Sequence, residues 1–437
     1  MKVLNVLCLG FFLFFCGSCL AKNKIVDWNF IVYIVSNNDL EPFAAQNINE
    51  MIQIGSNKNV NILIQVDTHK KNESCRYFIK KNEPVLMDVQ TNNDVSTSGT
   101  PRNLFNFAKW AITNFPSKHQ ALVLWDHGSG IEDPCIFGRV MVNYPHDFFM
   151  LNKKTGLFEL NKKLSENKGI GFNEVFQTYL TNQDLAATIK GISEELLGGK
   201  KIEILGMDAC FMAMLEICVE VCENVEYLVA SQEVEPGSGW KYNKLLEVFN
   251  GKTLTPEEFS KHIVKSYKQN YQHTHTDYTL SAIDLKNISL LKGKIDSISS
   301  LLLAMAKKDK NVMKAIDLIR SSSNLTTSFT NRSYIDLLHF LRGLADIFIV
   351  IEETMQDKTS FEIFMKLLTE GIELANSTLL KSVTCHKLST ANGLSIYFPN
   401  YSIHSSYYKT EFATNNSWKD FLEEYLHFKA SIFKSSS

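Results

Sequence analysis

Short, continuous apolar runs recur through the first half of the chain. They are WNFIVYIV (28–35), NVNILIQVD (59–67), HQALVLWDH (119–127), KIEILGMD (201–208) and VEYLVAS (225–231). None alternates polar and apolar for long, and each ends in turn residues. That is the pattern of strands buried on both faces, as in a parallel sheet. Between them lie segments with helical periodicity: NDLEPFAAQNINEMIQI (38–54), TPRNLFNFAKWAITNF (100–115), NQDLAATIKGISEELLG (182–198) and FMAMLEICVEVC (211–222). Asn38 or Asp39 is placed to cap the first helix, and Thr100 with Pro101 to open the second. CRYFIKK (75–81) and PVLMDV (84–89) predict a shorter antiparallel pair. Strands alternating with helices predict an α/β fold, with a mostly parallel, doubly wound sheet. From about residue 287 the pattern becomes helical, as in SLLKGKIDSISSLLLAMAKK (289–308) and SWKDFLEEYLHFKASIF (417–433). ANGLSIYFPN (391–400) is strand-like and is the candidate to return to the sheet.

Two of the apolar runs stop at reactive side chains. One ends at His127-Gly128 and the other at Asp208-Ala209-Cys210. Ligands of open α/β sheets bind beyond the carboxyl ends of the strands. A thiol there needs a base or a lowered pKa to attack a carbonyl, and a histidine supplies either. His127 and Cys210 are therefore the candidate catalytic pair. Cys210 is expected at the start of a helix, where the dipole favours thiolate. Asp208 precedes it by two and shares its side of the strand, whereas Asp126 points away from His127.

Composition narrows the partners. Forty-five Lys and Arg against 47 Asp and Glu leave a net charge of −2 over 437 residues, with no basic stripe. Nucleic acid is not an expected partner. Residues 1–21 read as an export signal: an early Lys, an apolar core from Val3 to Phe15, then small residues. Two processing sites compete, one giving a lipid-bearing Cys19 and one cutting after Ala21. No later stretch is long and apolar enough to span a membrane, so the product is expected to be secreted or tethered to the cell envelope. Cys218 and Cys222 sit one helical turn apart and are expected in the core. No spacing resembles a zinc framework. His273-x-His275-x-Asp277 is read as an ordinary polar edge, and no cofactor or metal is expected.

The paired signatures WDHGSG (125–130) and GMDACFMAMLE (206–216) resemble the clostripain family of cysteine peptidases, grouped with caspases, gingipains and legumains. ASQEVEPGSGWKY (230–242), YTLSAIDL (278–285) and GLSIYFPN (393–400) resemble family segments in the same order. The resemblance implies a caspase-like α/β/α sandwich, with a catalytic domain over 25–286 and a mainly helical C-terminal region over 287–437. It also implies a bacterial cysteine endopeptidase, monomeric, acting on proteins or peptides. It assigns His127 and Cys210 as the dyad and the backbone amides of Gly128 and Cys210 as the oxyanion hole. Asp208 would line the pocket for a basic P1 side chain. The family carries an acid between the Trp and Tyr of its G-W-x-Y segment. Here that position is Lys241, a cation that would weaken the pull of Asp208 on Arg or Lys.

Two other readings share these residues: an inactive caspase-like surface binding protein, and a transpeptidase on the same fold. The segment 131–183 is polar, Lys-rich and poorly periodic. Relatives are often made as precursors and cut in the corresponding stretch. Self-cleavage is expected within 150–170, at Lys153, Lys154, Lys162, Lys163 or Lys168.

Overall fold

The apolar runs pair side by side into one nine-stranded sheet. The computed structural model describes residues 25–68, 73–91, 98–132, 149–152, 157–160, 170–173, 178–274, 276–355 and 357–436. The export signal 1–21 and Cys19 lie outside the described residues. So do His275 and the five lysines expected as cleavage sites.

The first half holds β1 (Val26–Ser36), α1 (Glu41–Ile54), β2 (Val60–Thr68), β3 (Glu73–Lys80), β4 (Glu83–Thr91), α2 (Pro101–Asn114) and β5 (Ser117–Trp125). Four short strands follow: β6 (Phe149–Asn152), β7 (Leu157–Leu160), β8 (Ile170–Asn173) and β9 (Thr178–Leu180). Then come α3 (Asn182–Gly191), β10 (Ile202–Asp208), α4 (Leu215–Val221), β11 (Val225–Ala230), α5 (Tyr242–Leu246), α6 (Pro256–Tyr271) and β12 (Thr279–Asp284). The last part holds α7 (Ile288–Lys308), α8 (Lys310–Ser321), β13 (Tyr334–Asp336), α9 (Leu337–Ile351), α10 (Lys358–Ser377), β14 (Leu379–Thr384), β15 (Ser395–Tyr397), α11 (Glu411–Thr414) and α12 (Trp418–Ser436).

The sheet order is β14-β12-β11-β10-β5-β1-β2-β3-β4. Its central five strands, β11 to β2, run parallel. The β3–β4 pair closes one side antiparallel, as the sequence predicts, and β12 and β14 close the other. Alternate residues of each central strand enter opposite cores. Ile31, Tyr33, Leu122, Leu124, Leu205 and Met207 face the core shared with α2, α3, α4 and the C-terminal helices. Phe30, Val32, Ile64, Val123 and Ile204 face the core shared with α5 and α6. The result is an α/β/α sandwich, and both sheet faces are buried, which is why the runs read as continuously apolar.

Two local expectations change and one holds. The strand returned to the main sheet is β14, while the run at 391–400 supplies β15, which pairs with β13. Thr100 caps α2, accepting from Asn103 N. Neither Asn38 nor Asp39 caps α1, whose N-cap is Leu40. Both side chains turn instead toward the end of β5, where Asn38 Nδ2 donates to Asp126 Oδ1 at 2.7 Å. No helix among the described residues is long and apolar enough to cross a membrane.

Candidate active site

Strand register sets the floor of the site. Asp208 pairs with Trp125 and Trp125 with Ile34, so β10, β5 and β1 end almost level. The chain leaving β5 places His127, and the chain leaving β10 places Cys210. Both side chains line one cleft, together with Asp208, Glu235, Leu40 and Trp125. Gly128 lets these two strand ends meet. A Cβ there would stand 2.5 Å from the Cys210 carbonyl oxygen and 3.1 Å from its nitrogen.

The helix after Cys210 begins later than its sequence suggests. It starts at Leu215, and Met214 is its N-cap. Residues 211–213 are held on the segment leaving β11: Phe211 N donates to Glu233 O at 3.3 Å, and Ala213 N to Ser231 O at 2.9 Å. Phe211 takes φ 62°, a left-handed conformation that a bulky residue rarely adopts. Cys210 is thus displaced from the helix dipole. Glu235 N donates to its Sγ at 3.3 Å, and the Gly128 amide also favours the thiolate, but burial outweighs both. The thiol is pushed up to about 12.

His127 is almost wholly buried, with 2% of its side chain exposed. Burial lowers its pKa, against the opposing pull of Asp39. Its Nε2 lies 2.7 Å from Asp39 Oδ1. The resting pair is therefore a neutral thiol and a neutral imidazole, not a preformed ion pair.

The acidic wall of the cleft holds two carboxyls. Asp208 Oδ2 accepts from Trp240 N at 3.1 Å and from Tyr242 Oη at 2.8 Å. Burial raises its pKa to about 6, despite these donors. Glu235 is buried beside Asp208, against Trp240 and the Ala209 amide. Burial, then the charge of Asp208, pushes its carboxyl well up. Gly239 (φ 56°) closes over Asp208, where a Cβ would come within 2.7 Å of both carboxylate oxygens. Pro236 and Gly237 complete the lining of this cleft.

Lys241 does not enter this cleft. Its Nζ pairs with Glu50, which also accepts from Tyr242 N at 3.0 Å. The cation expected to oppose Asp208 is neutralised at the start of α5 instead. Glu235 and Asp39 are the site residues that sequence reading misses. Glu235 follows the end of β11, the strand beside β10, and Asp39 follows the end of β1. The rule that singles out His127 and Cys210 applies to both. The three cysteines Cys210, Cys218 and Cys222 are buried and free, and no group of His, Cys, Asp and Glu among the described residues is arranged to hold a metal.

The C-terminal region braces the site loops. Tyr334 Oη donates to Ser129 O, Thr330 N to Glu233 Oε2 at 3.0 Å, and Ser395 N to Ala213 O at 2.8 Å. Buried Glu216 accepts from Tyr397 N at 2.9 Å, tying α4 to β15.

A sheet of this order carrying helices on both faces is the caspase-like architecture of cysteine endopeptidases. The clostripain family model, Peptidase_C11, matches residues 32–144 and 152–426. The chain belongs to the clostripain family. It is similar in fold to a secreted C11 cysteine protease from Bacteroides thetaiotaomicron, solved with an irreversible peptide inhibitor (TM-score 0.57, 15% identity, covering 91% of this chain and 99% of that one). It is also similar to an inactive zymogen C11 protease from Parabacteroides distasonis (TM-score 0.56, 14% identity, covering 89% and 98%). No curated protein matches the chain.

Proposed function

We propose that this cysteine endopeptidase is exported, uses His127 and Cys210 as its catalytic dyad, and cleaves after Arg or Lys. The observation that carries the dyad is the shared cleft: a thiol and an imidazole lie at the level ends of adjacent parallel strands. His127 takes the Cys210 proton as the sulfur attacks the scissile carbonyl. The C–S bond forms and the carbonyl π pair moves to oxygen, where the amides of Gly128 and Cys210 receive it. Collapse breaks the C–N bond, and the imidazolium returns its proton to the leaving amine. Water then attacks the thioester as His127 takes its proton; collapse breaks the C–S bond, frees the carboxylic acid and returns the proton to Cys210. Because the resting thiol is neutral, proton transfer accompanies attack rather than preceding it.

Two carboxyls on one wall support a basic P1 residue. Among the described residues no Lys or Arg lines the cleft, so an incoming cation is the natural partner for Asp208 and Glu235. Cleavage profiling of a peptide library by the mature protein, beside Cys210→Ala, tests the reading. Turnover only by wild type, with Arg or Lys at P1, is the expected result; cleavage after acidic or apolar residues rejects the specificity. Since Lys241 is engaged by Glu50, Lys241→Ala should change kcat/KM on such substrates by about twofold or less. A larger gain would show that Lys241 opposes the substrate charge after all.

The polar, Lys-rich stretch that begins beside His127 supports reading the uncut chain as a precursor, activated by self-cleavage within 150–170. Mass analysis of wild type should find two associated chains, and Cys210→Ala a single intact one. Intact, fully active wild type would remove self-processing. The apolar leader over 1–21 supports secretion or attachment to the cell envelope.

A further inference from the structure

We propose that Asp39 is the positioning residue of a three-member relay, holding His127 through Nε2 so that Nδ1 exchanges the proton with Cys210. The inference rests on the dyad reading and extends it.

The sheet itself carries the argument. In the order β10-β5-β1, three neighbouring parallel strands end almost level. The residues delivered just past those ends are Cys210, His127 and Asp39, in that spatial order. A proton relay needs this sequence of groups: nucleophile, base, and an acid that orients the base. Asp39 is available because it does not cap α1; Leu40 occupies the N-cap position without a side-chain bond. Asn38 fixes the turn, since its Oδ1 accepts from Leu40 N at 3.0 Å and its Nδ2 donates to Asp126 Oδ1 and to Phe172 O.

The chemistry follows from the contact. An ionised carboxylate only accepts, so the 2.7 Å contact with Asp39 Oδ1 places the imidazole proton on Nε2. The neutral ring then has Nδ1 as its basic nitrogen. When Nδ1 takes the thiol proton, the ring becomes a cation on an almost wholly buried side chain. Asp39 offsets that charge across the ring, on the opposite nitrogen. Asp126 adjoins His127 in the chain and is engaged by Asn38, while Asp208, Cys210 and Glu235 line the cleft. Asp39 Oδ1 is in hydrogen-bond contact with ring Nε2.

The test uses the mature protein in its active form, with a P1-Arg fluorogenic peptide and the variants Asp39→Ala, Asp39→Asn and Asp39→Glu. Thermal unfolding of each variant corrects rates for the folded fraction. We expect kcat per folded molecule to fall by about 10²-fold or more in Asp39→Ala, with KM changed by about threefold or less; the Asp-to-Asn change in serine-peptidase triads costs about 10⁴. Asp39→Glu should recover part of the loss. The acid limb of kcat/KM reports protonation of His127, which must be neutral to accept the thiol proton. Loss of the negative charge makes the ring less basic, so Asp39→Asn should move that limb to lower pH. A purely structural residue would lower the plateau without moving the limb. The proposal is overturned if Asp39→Ala keeps kcat within about threefold of wild type, or if the limb stays in place in Asp39→Asn. His127→Ala separates the two readings. Loss of turnover there with full activity in Asp39→Ala discards the relay and leaves the dyad. Retained turnover in His127→Ala discards both.

Discussion

Under the proposed dyad, Cys210→Ala and His127→Ala should each lower kcat/KM for peptide cleavage by about 10⁴-fold or more, because removing either partner would abolish the covalent route. The two variants differ in stability. Cys210 Sγ accepts a hydrogen bond from Glu235 N, and losing it costs about 1 kcal/mol. His127 fills a buried position against Asp39, so its removal leaves a void and a carboxylate without its partner. That costs about 2–4 kcal/mol. Turnover measured per folded molecule, with thermal unfolding alongside, separates the chemical loss from the structural one. Near-normal turnover in either variant would displace the dyad from these residues.

The second large effect is at the acidic wall. Asp208→Asn should reduce kcat/KM for P1-Arg and P1-Lys substrates by about 10²-fold or more, since truncating one side of a buried charge pair costs about 2–5 kcal/mol. Glu235→Gln should act in the same direction. The fold gains where function loses. Asp208 has its carboxyl raised to about 6 by burial, above its ordinary value of 3.8. The native state thus holds a proton that the unfolded chain releases, and stability falls as pH rises from about 4 to about 6. An amide at 208 keeps an oxygen for Trp240 N and Tyr242 Oη and carries no charge. Asp208→Asn should therefore be more stable than wild type at pH 8 and lose that advantage at pH 4. Denaturant unfolding at both values, beside P1 profiling, checks the pair of effects. Unchanged P1 selectivity in this variant would move the specificity elsewhere.

The central strands were legible because burial on both faces leaves little choice of residue, as in Phe30–Val35 and Ile202–Met207. His127 and Cys210 were legible because a reactive side chain straight after such a strand has few structural uses. The start of α4 was not. FMAMLEICVEVC has helical composition throughout, yet residues 211–213 are pulled onto the segment after β11 by long-range backbone hydrogen bonds. Local propensity does not encode those bonds. β14 was hidden for a related reason: it is a six-residue edge strand joined directly to α10, with only partial burial. Asp39 was read as a helix cap because Asp is a common cap, and only the register of β1 against β5 reveals its other partner. At Lys241 a long-range contact again adds what local sequence does not encode. The neighbours of Lys241 in sequence place it beside Asp208, but a contact across 191 positions, to Glu50, takes it away.

The crossing from β5 to β10 has a consequence for a chain cut within 150–170, as proposed. The two strands are neighbours in the sheet, so the scission falls inside the central ladder and not at an edge. One fragment then owns β1 to β5 with the imidazole, the other β10 to β14 with the thiol. Each is left with half a sheet whose buried faces need the other half. In the folded state the fragments remain side by side. Once unfolded, they must find each other by diffusion, so regaining activity becomes a bimolecular event that slows with dilution. The uncut chain, with both halves on one tether, recovers at a rate independent of concentration. Cutting such a chain makes switching on a one-way step: at low protein concentration a molecule that has been activated and then unfolded stays silent.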